Sequence, residues 1–156
     1  MTAYRFLVAT ALALALLAFV LVLAQRADAP AVVADPVRTP GVLNPDVTQA
    51  TIGATICVQG WTRTVRPPTE YTNALKLRQM RAYGESGPPS AFQEDHLISL
   101  ELGGHPTDPR NLWPEPYPRA SHVDAIENEL NAQVCSGSLT LAQAQEKESA
   151  LKHNQG

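Results

Sequence analysis

The sequence predicts a small single-domain α+β protein, built on a short β-hairpin followed by a helix, with further helices flanking it. Apolar residues recur at helical spacing in three separate stretches after residue 69. Between the first and second of these, "HLISLEL" (His96 to Leu102) alternates in the manner of a half-buried strand. A Gly- and Pro-rich turn, "GGHPTDPR", then leads into a second short strand at "NLWP".

The chain has 156 residues, and its beginning differs from the rest. Phe6 to Ala24 is apolar, with no charge and a single hydroxyl at Thr10, and it follows Arg5. Two readings compete for residues 1–24. The basic residue before the run and the small residues near Ala24 fit a cleaved signal peptide. A run of ~19 apolar residues is also long enough for an uncleaved membrane anchor. Either reading exports the remainder to the periplasm or beyond. Residues 25–49 carry Pro30, Pro36, Pro40 and Pro45 without helical or strand period, which predicts an extended linker. Residues 50–152 are then left for one domain.

Within that domain, "TICVQGWTRTVRPP" reads as a short strand or hairpin ended by Pro67-Pro68. "EYTNALKLRQMRAYG" reads as a helix with Ala74, Leu77 and the Arg81 stem on one side and Gly84 as its stop. The returning strand is stopped by Pro114, and "PEPYPRA" is a proline-broken connector. The next helix is expected from Ser121 as N-cap, with Val123, Ile126, Leu130 and Val134 on one face. The last helix is expected near Thr140, with Gln143 completing a capping box and Leu141, Ala144 and Leu151 facing inward.

The two cysteines, Cys57 and Cys135, lie near the ends of the domain. In an exported chain, an isolated pair reads first as one disulfide. Closing a loop of that length stabilises by about 4–5 kcal/mol in the chain-entropy model. No C-x-x-C is present to favour a cysteine metal site.

The formal charge is −3, which is not the balance of a passive nucleic-acid binder. Its distribution is uneven. Arg63, Arg66, Lys76, Arg78 and Arg81 face only Glu70 between positions 63 and 81, a local basic surface that either meets phosphates or is a solvated helix face.

The chemistry concentrates in "EDHLISLELGG". Asp95 is a hard oxygen ligand suited to Mg²⁺. His96 titrates near neutrality and can take a proton from water. Asn111 opens the second strand, fifteen positions after His96, and a helix follows. Taken with "NLWPEP" and "SHVDAIENEL", this order resembles the HNH (His-Me finger) nucleases. From "ICVQGWTRTVRPP" to "VCSGSLTLAQAQ", about residues 51–145, the chain looks like an exported bacterial HNH-like family.

The resemblance implies an HNH ββα-metal core, with His96 as general base, Asn111 orienting it and Asp95 as a metal ligand. It further implies a divalent cation, most simply Mg²⁺, and DNA as substrate, with RNA as the chemical alternative. The second ligand departs from the simplest pattern, because Ala120 stands where related motifs place His or Asn. Asp124 is the preferred candidate and His122 the second; the Lys that precedes the Asp in the exported family is Val123 here. Arg110 and Arg119 flank the hairpin as candidate phosphate contacts.

Bland readings stand beside each of these. Asp124 could complete a capping box with Ser121, His96 could be a half-buried strand residue bonded to backbone, and Asn111 could serve a turn. Trp113 is expected to pack the core. The function that follows is a metal-dependent DNA endonuclease of low sequence specificity. The alternative is a non-catalytic exported binding domain on the same scaffold, and no specific protein partner is implied.

Overall fold

A computed structural model describes residues 33–154; the signal or anchor expected at 1–24 lies outside the described residues, as does the first part of the linker. The architecture is a two-stranded antiparallel ribbon surrounded by helices, a small α+β domain. In chain order come α1 (Trp61–Val65), α2 (Thr69–Tyr83), β1 (Phe92–His96), β2 (Leu112–Pro116), α3 (Arg119–Cys135) and α4 (Leu141–Asn154). Short 3-10 turns at Ile52–Ala54, Pro89–Ala91, Leu100–Leu102 and Pro109–Asn111 link them.

The ribbon pairs Asp95 with Trp113 and His96 with Leu112, and Leu97 N–H extends the ladder to the Asn111 carbonyl at 2.8 Å. The first strand therefore ends where the alternating pattern predicts it to begin. "HLISLEL" is instead a bend and a 3-10 turn in which Leu97, Ile98, Leu100 and Leu102 are all buried. Alternation fails as a guide here because α1, α3 and α4 pack against the Leu100–Leu102 turn while Leu97 and Ile98 join the two core clusters, so successive residues are buried.

Two further expectations are corrected. "TICVQGWTRTVRPP" forms turns and the short helix α1 rather than a strand or hairpin. From residue 33 on, the expected linker belongs to the packed domain: Ala34 and Thr39 are fully buried, and Val47 sits in the main core cluster. Prolines kept this stretch free of regular structure without preventing its burial. Its polar groups bond to the domain, as in Ala34 N–H to the Lys152 carbonyl and Asn44 N–H to that of Gly103.

α2 begins directly after Pro67-Pro68 and stops at Gly84, which takes φ 71° as the sequence predicts. Its inward residues are Leu75 and Met80, not the stripe through Ala74, Leu77 and Arg81, which is exposed. α3 starts at Arg119, two residues before the expected cap, so Ser121 caps nothing. Ala120, Val123, Glu127, Leu130 and Val134 are its buried positions. α4 opens with the expected capping box: Gln143 N–H donates to Thr140 Oγ1 at 3.2 Å, and Thr140 N–H donates to Gln143 Oε1 at 2.9 Å.

The larger core joins Val47, Ile56, Ile98 and Leu102 to Leu130, Val134, Leu141 and Ala144. Trp113, Leu97 and Ala34 form a second cluster, against which Tyr83 packs, so Trp113 is a core residue as expected. Cys57 and Cys135 form the disulfide, Cα–Cα 5.6 Å, tying the segment before α1 to the end of α3. The Cys57→Ala/Cys135→Ala protein should lose about 2–5 kcal/mol in urea unfolding. A loss below about 1 kcal/mol would mean that packing of Ile56 and Trp61 alone holds that segment.

Candidate functional site

Asp95 and His96 are the last two residues of β1, and both are buried, 7% and 6% exposed. His96 Nε2 lies 3.0 Å from the Pro106 carbonyl. A carbonyl only accepts, so Nε2 carries the proton and Nδ1 is the lone-pair nitrogen of the neutral ring. Burial pushes the His96 pKa below its ordinary value, against the opposing pull of Asp95, so the ring is neutral at pH 7.

Asn111 is fully buried and does not bond to His96. Its Nδ2 donates to the Ile98 and His105 carbonyls, and its Oδ1 accepts from Ile98 N–H, each at 3.0 Å. These bonds close the loop between the strands, and that loop presents the Pro106 carbonyl to His96. Asn111 thus positions the histidine at one remove. Gly104 makes room for it: a Cβ there would fall 2.6 Å from Asn111 Nδ2 and 1.7 Å from the Ile98 oxygen.

Beside His96 opens a pocket of about 440 Å³, walled among others by Arg66, Glu94, Asp95, Asp124 and Glu127. Asp95, Asp124 and Glu127 each bring a carboxylate oxygen within 4.8 Å of the others. With α3 starting at Arg119, Asp124 lies in its second turn, so it has no capping duty and faces the pocket. Glu127, one turn on, shares its face. Burial raises the pKa of both, and the charge of Asp95 adds to the rise. That mutual repulsion is what a divalent cation would relieve, and an all-oxygen donor set of this kind fits Mg²⁺.

Behind this cluster sits Lys152 of α4, fully buried. Its ammonium donates to Glu127 Oε1 at 2.6 Å, Asp95 Oδ2 at 2.8 Å and the His96 carbonyl at 2.5 Å, with Glu148 Oε1 at 3.4 Å. Burial alone would raise the Asp95 pKa, but the ammonium holds it well below the usual carboxylate range. Glu148 in turn accepts from Ser99 N–H through both oxygens, at 2.9 and 3.0 Å. Glu115, also fully buried, is pushed up to about 8 by burial and by hydrogen bonding to Asp95. Glu94 is likewise pushed up to about 8 by burial, and neither of its carboxyl oxygens has a hydrogen-bond partner.

The structure brings together Asp95, His96 and Asp124, with Asn111 in support. It leaves out the other sequence candidates. His122 is exposed and lies outside both the pocket wall and the carboxylate cluster, because it points away from a face set two residues later. Arg110 is ion-paired with its neighbour Asp108 at 2.6 Å. Arg119 turns inward to Glu115 and the Leu151 carbonyl and lies over the Trp113 ring at 5.5 Å, so it braces β2 against the helices.

Glu127, Glu148 and Lys152 were not read from the sequence. Each is a charged residue on the inward stripe of its helix, and a charge there must be paired. That signal could have found them.

Comparison of the chain with protein-family models, with curated proteins and with solved structures gives no match.

Proposed function

We propose that this protein is a divalent-metal-dependent endonuclease of the His-Me finger (HNH) type, hydrolysing DNA phosphodiester bonds with low sequence specificity. One observation carries the reading: a neutral histidine, its Nε2 pinned by a backbone carbonyl, stands beside three converging carboxylates in one open pocket. His96 Nδ1 takes the proton of the attacking water. A fixed tautomer and a depressed pKa keep that nitrogen unprotonated at working pH. Asn111 holds the loop that fixes the ring.

Asp95, Asp124 and Glu127 would hold the cation, most simply Mg²⁺. Bound there, the metal supplies Lewis-acid stabilisation of the phosphate and the departing 3′ oxygen. β1 and the turn that follows it supply one wall of the pocket and α3 the other, an arrangement that supports a nuclease core of this type. The disulfide is compatible with an oxidising, exported location, and no helix among the described residues is long and apolar enough to cross a membrane.

A second reading, a non-catalytic exported binding domain, is favoured by Lys152, which already supplies a cation to Asp95 and Glu127. Plasmid nicking separates the two. The nuclease should nick supercoiled DNA with Mg²⁺ or Mn²⁺, stop in EDTA, and lose both nicking and metal binding on Asp124→Asn. Folded protein that binds no divalent ion and nicks nothing would leave the binding domain.

A further inference from the structure

We infer that Arg66 is the phosphate-holding residue of this site, its guanidinium taking a non-bridging oxygen of the scissile phosphodiester at the pocket mouth. The inference rests on the nuclease reading and names the side chain that meets the substrate.

The problem it answers is one of charge. The pocket is walled by Glu94, Asp95, Glu101, Asp124 and Glu127, which a polyanion would otherwise avoid. Among the described residues, Arg66 is the one lysine or arginine on that wall. Lys152 is sealed behind Asp95. Arg66 shares that wall with His96, Glu101 and Asp124. Yet among the described residues no ion pair or hydrogen bond engages its guanidinium, and the residue is exposed. Three other arginines differ: Arg38 and Arg110 pair with Asp35 and Asp108, and Arg119 is drawn inward to Glu115. A free planar fork of donors matches a phosphate in geometry as well as charge.

The backbone carrying Arg66 is held in place. Arg66 ends α1 in an extended conformation, φ −60° and ψ 129°, as a residue before proline prefers, and Pro67-Pro68 stiffen the exit into α2. On the other side, Trp61 packs on the core and Cys57 is bonded to Cys135. Cys135 is the last residue of α3, the helix that bears Asp124 and Glu127. One covalent link therefore ties the arginine arm to the helix that supplies two of the three carboxylates.

The test is DNA affinity in the His96→Ala background, full chain, with Mg²⁺ present and a short labelled duplex as probe. His96→Ala keeps the duplex intact during the titration. Adding Arg66→Ala or Arg66→Gln should weaken binding about 10- to 100-fold and lower the salt slope by about one. Arg66→Lys should lose less, and Arg63→Ala, on the same short helix but off the pocket wall, should change little. With His96 intact, the Arg66 effect should appear in KM more than in kcat.

Folded Arg66→Gln protein that binds within about twofold of its parent would overturn the assignment, as would an equal loss from Arg63→Ala. If the parent cleaves DNA while Arg66 variants keep its KM, this inference alone fails. If the unmodified protein neither binds nor cleaves DNA, the nuclease reading fails and takes this one with it.

Discussion

Lys152→Met is expected to lower the unfolding free energy by about 3–5 kcal/mol at pH 7. The methionine keeps most of the side chain's length, ending one atom short of Nζ, but removes the charge that Asp95, Glu127 and Glu148 all face. What remains is a set of buried carboxylates with no cation, and the cost is that of leaving them uncompensated, which exceeds the net worth of the ion pairs themselves.

The sign of the pH dependence follows from Glu127 and Glu148. Burial raises both pKa values above their unfolded values. Each therefore favours the folded state fully below its unfolded pKa, and that contribution fades as pH rises through the folded value. Without Lys152 the folded values rise further, so the variant's deficit should be smaller at pH 5 than at pH 8. Urea unfolding at the two pH values measures it. A deficit under about 1 kcal/mol at pH 8 would mean that water reaches the cluster. Saturating Mg²⁺ should restore part of the loss if the proposed site is real, since a ligand of the folded state stabilises it by mass action.

His96→Ala is expected to reduce kcat for DNA nicking by about 10²–10⁴-fold, the usual worth of a general base, while the disulfide-bonded fold persists. In the unsubstituted protein, burial depresses the His96 pKa below 6.5. The acid limb of the rate profile should accordingly lie below pH 6.5, with a plateau through pH 7. The same shift makes His96 a contributor to stability above its unfolded pKa, lost as pH falls through the folded value. A bound divalent cation adds positive charge nearby and moves the limb further down. An acid limb above pH 7, or a His96→Ala rate within tenfold of the parent, would remove the base role. Lys152→Met should also move this limb, because the ammonium helps hold the His96 pKa down. The two predictions can be checked in one protein.

How much of this was legible beforehand depends on the range of the interaction. The stop of α2 at Gly84 and the capping box of α4 follow from short-range signals, and the disulfide from composition, two cysteines in a chain that reads as exported. Of the hairpin only its existence was legible, since its first strand is Phe92–His96, ahead of the expected run, and its second runs through Pro114. Asp95, His96, Asn111 and Asp124 could be picked out because an acid beside an imidazole, an asparagine at the returning strand and a helical acid are chemically conspicuous. The start of α3 was misplaced by three residues, and that shift turned Asp124 from a capping residue into a pocket residue.

The sequence by itself determined the local order of strand, loop, strand and helix, and the residue types able to do acid-base and metal chemistry. Only the tertiary structure decided which of those residues meet. Ala34, Thr39, Asn44 and Val47 of the expected linker were buried because burial is decided by what packs against a segment, not by its own periodicity. Lys152 reached Asp95 across 57 positions, and Arg66 reached the pocket while Arg110 and Arg119 found nearer carboxylates. Electrostatic partners are chosen by distance in space and by desolvation, and neither quantity is written into spacing along the chain.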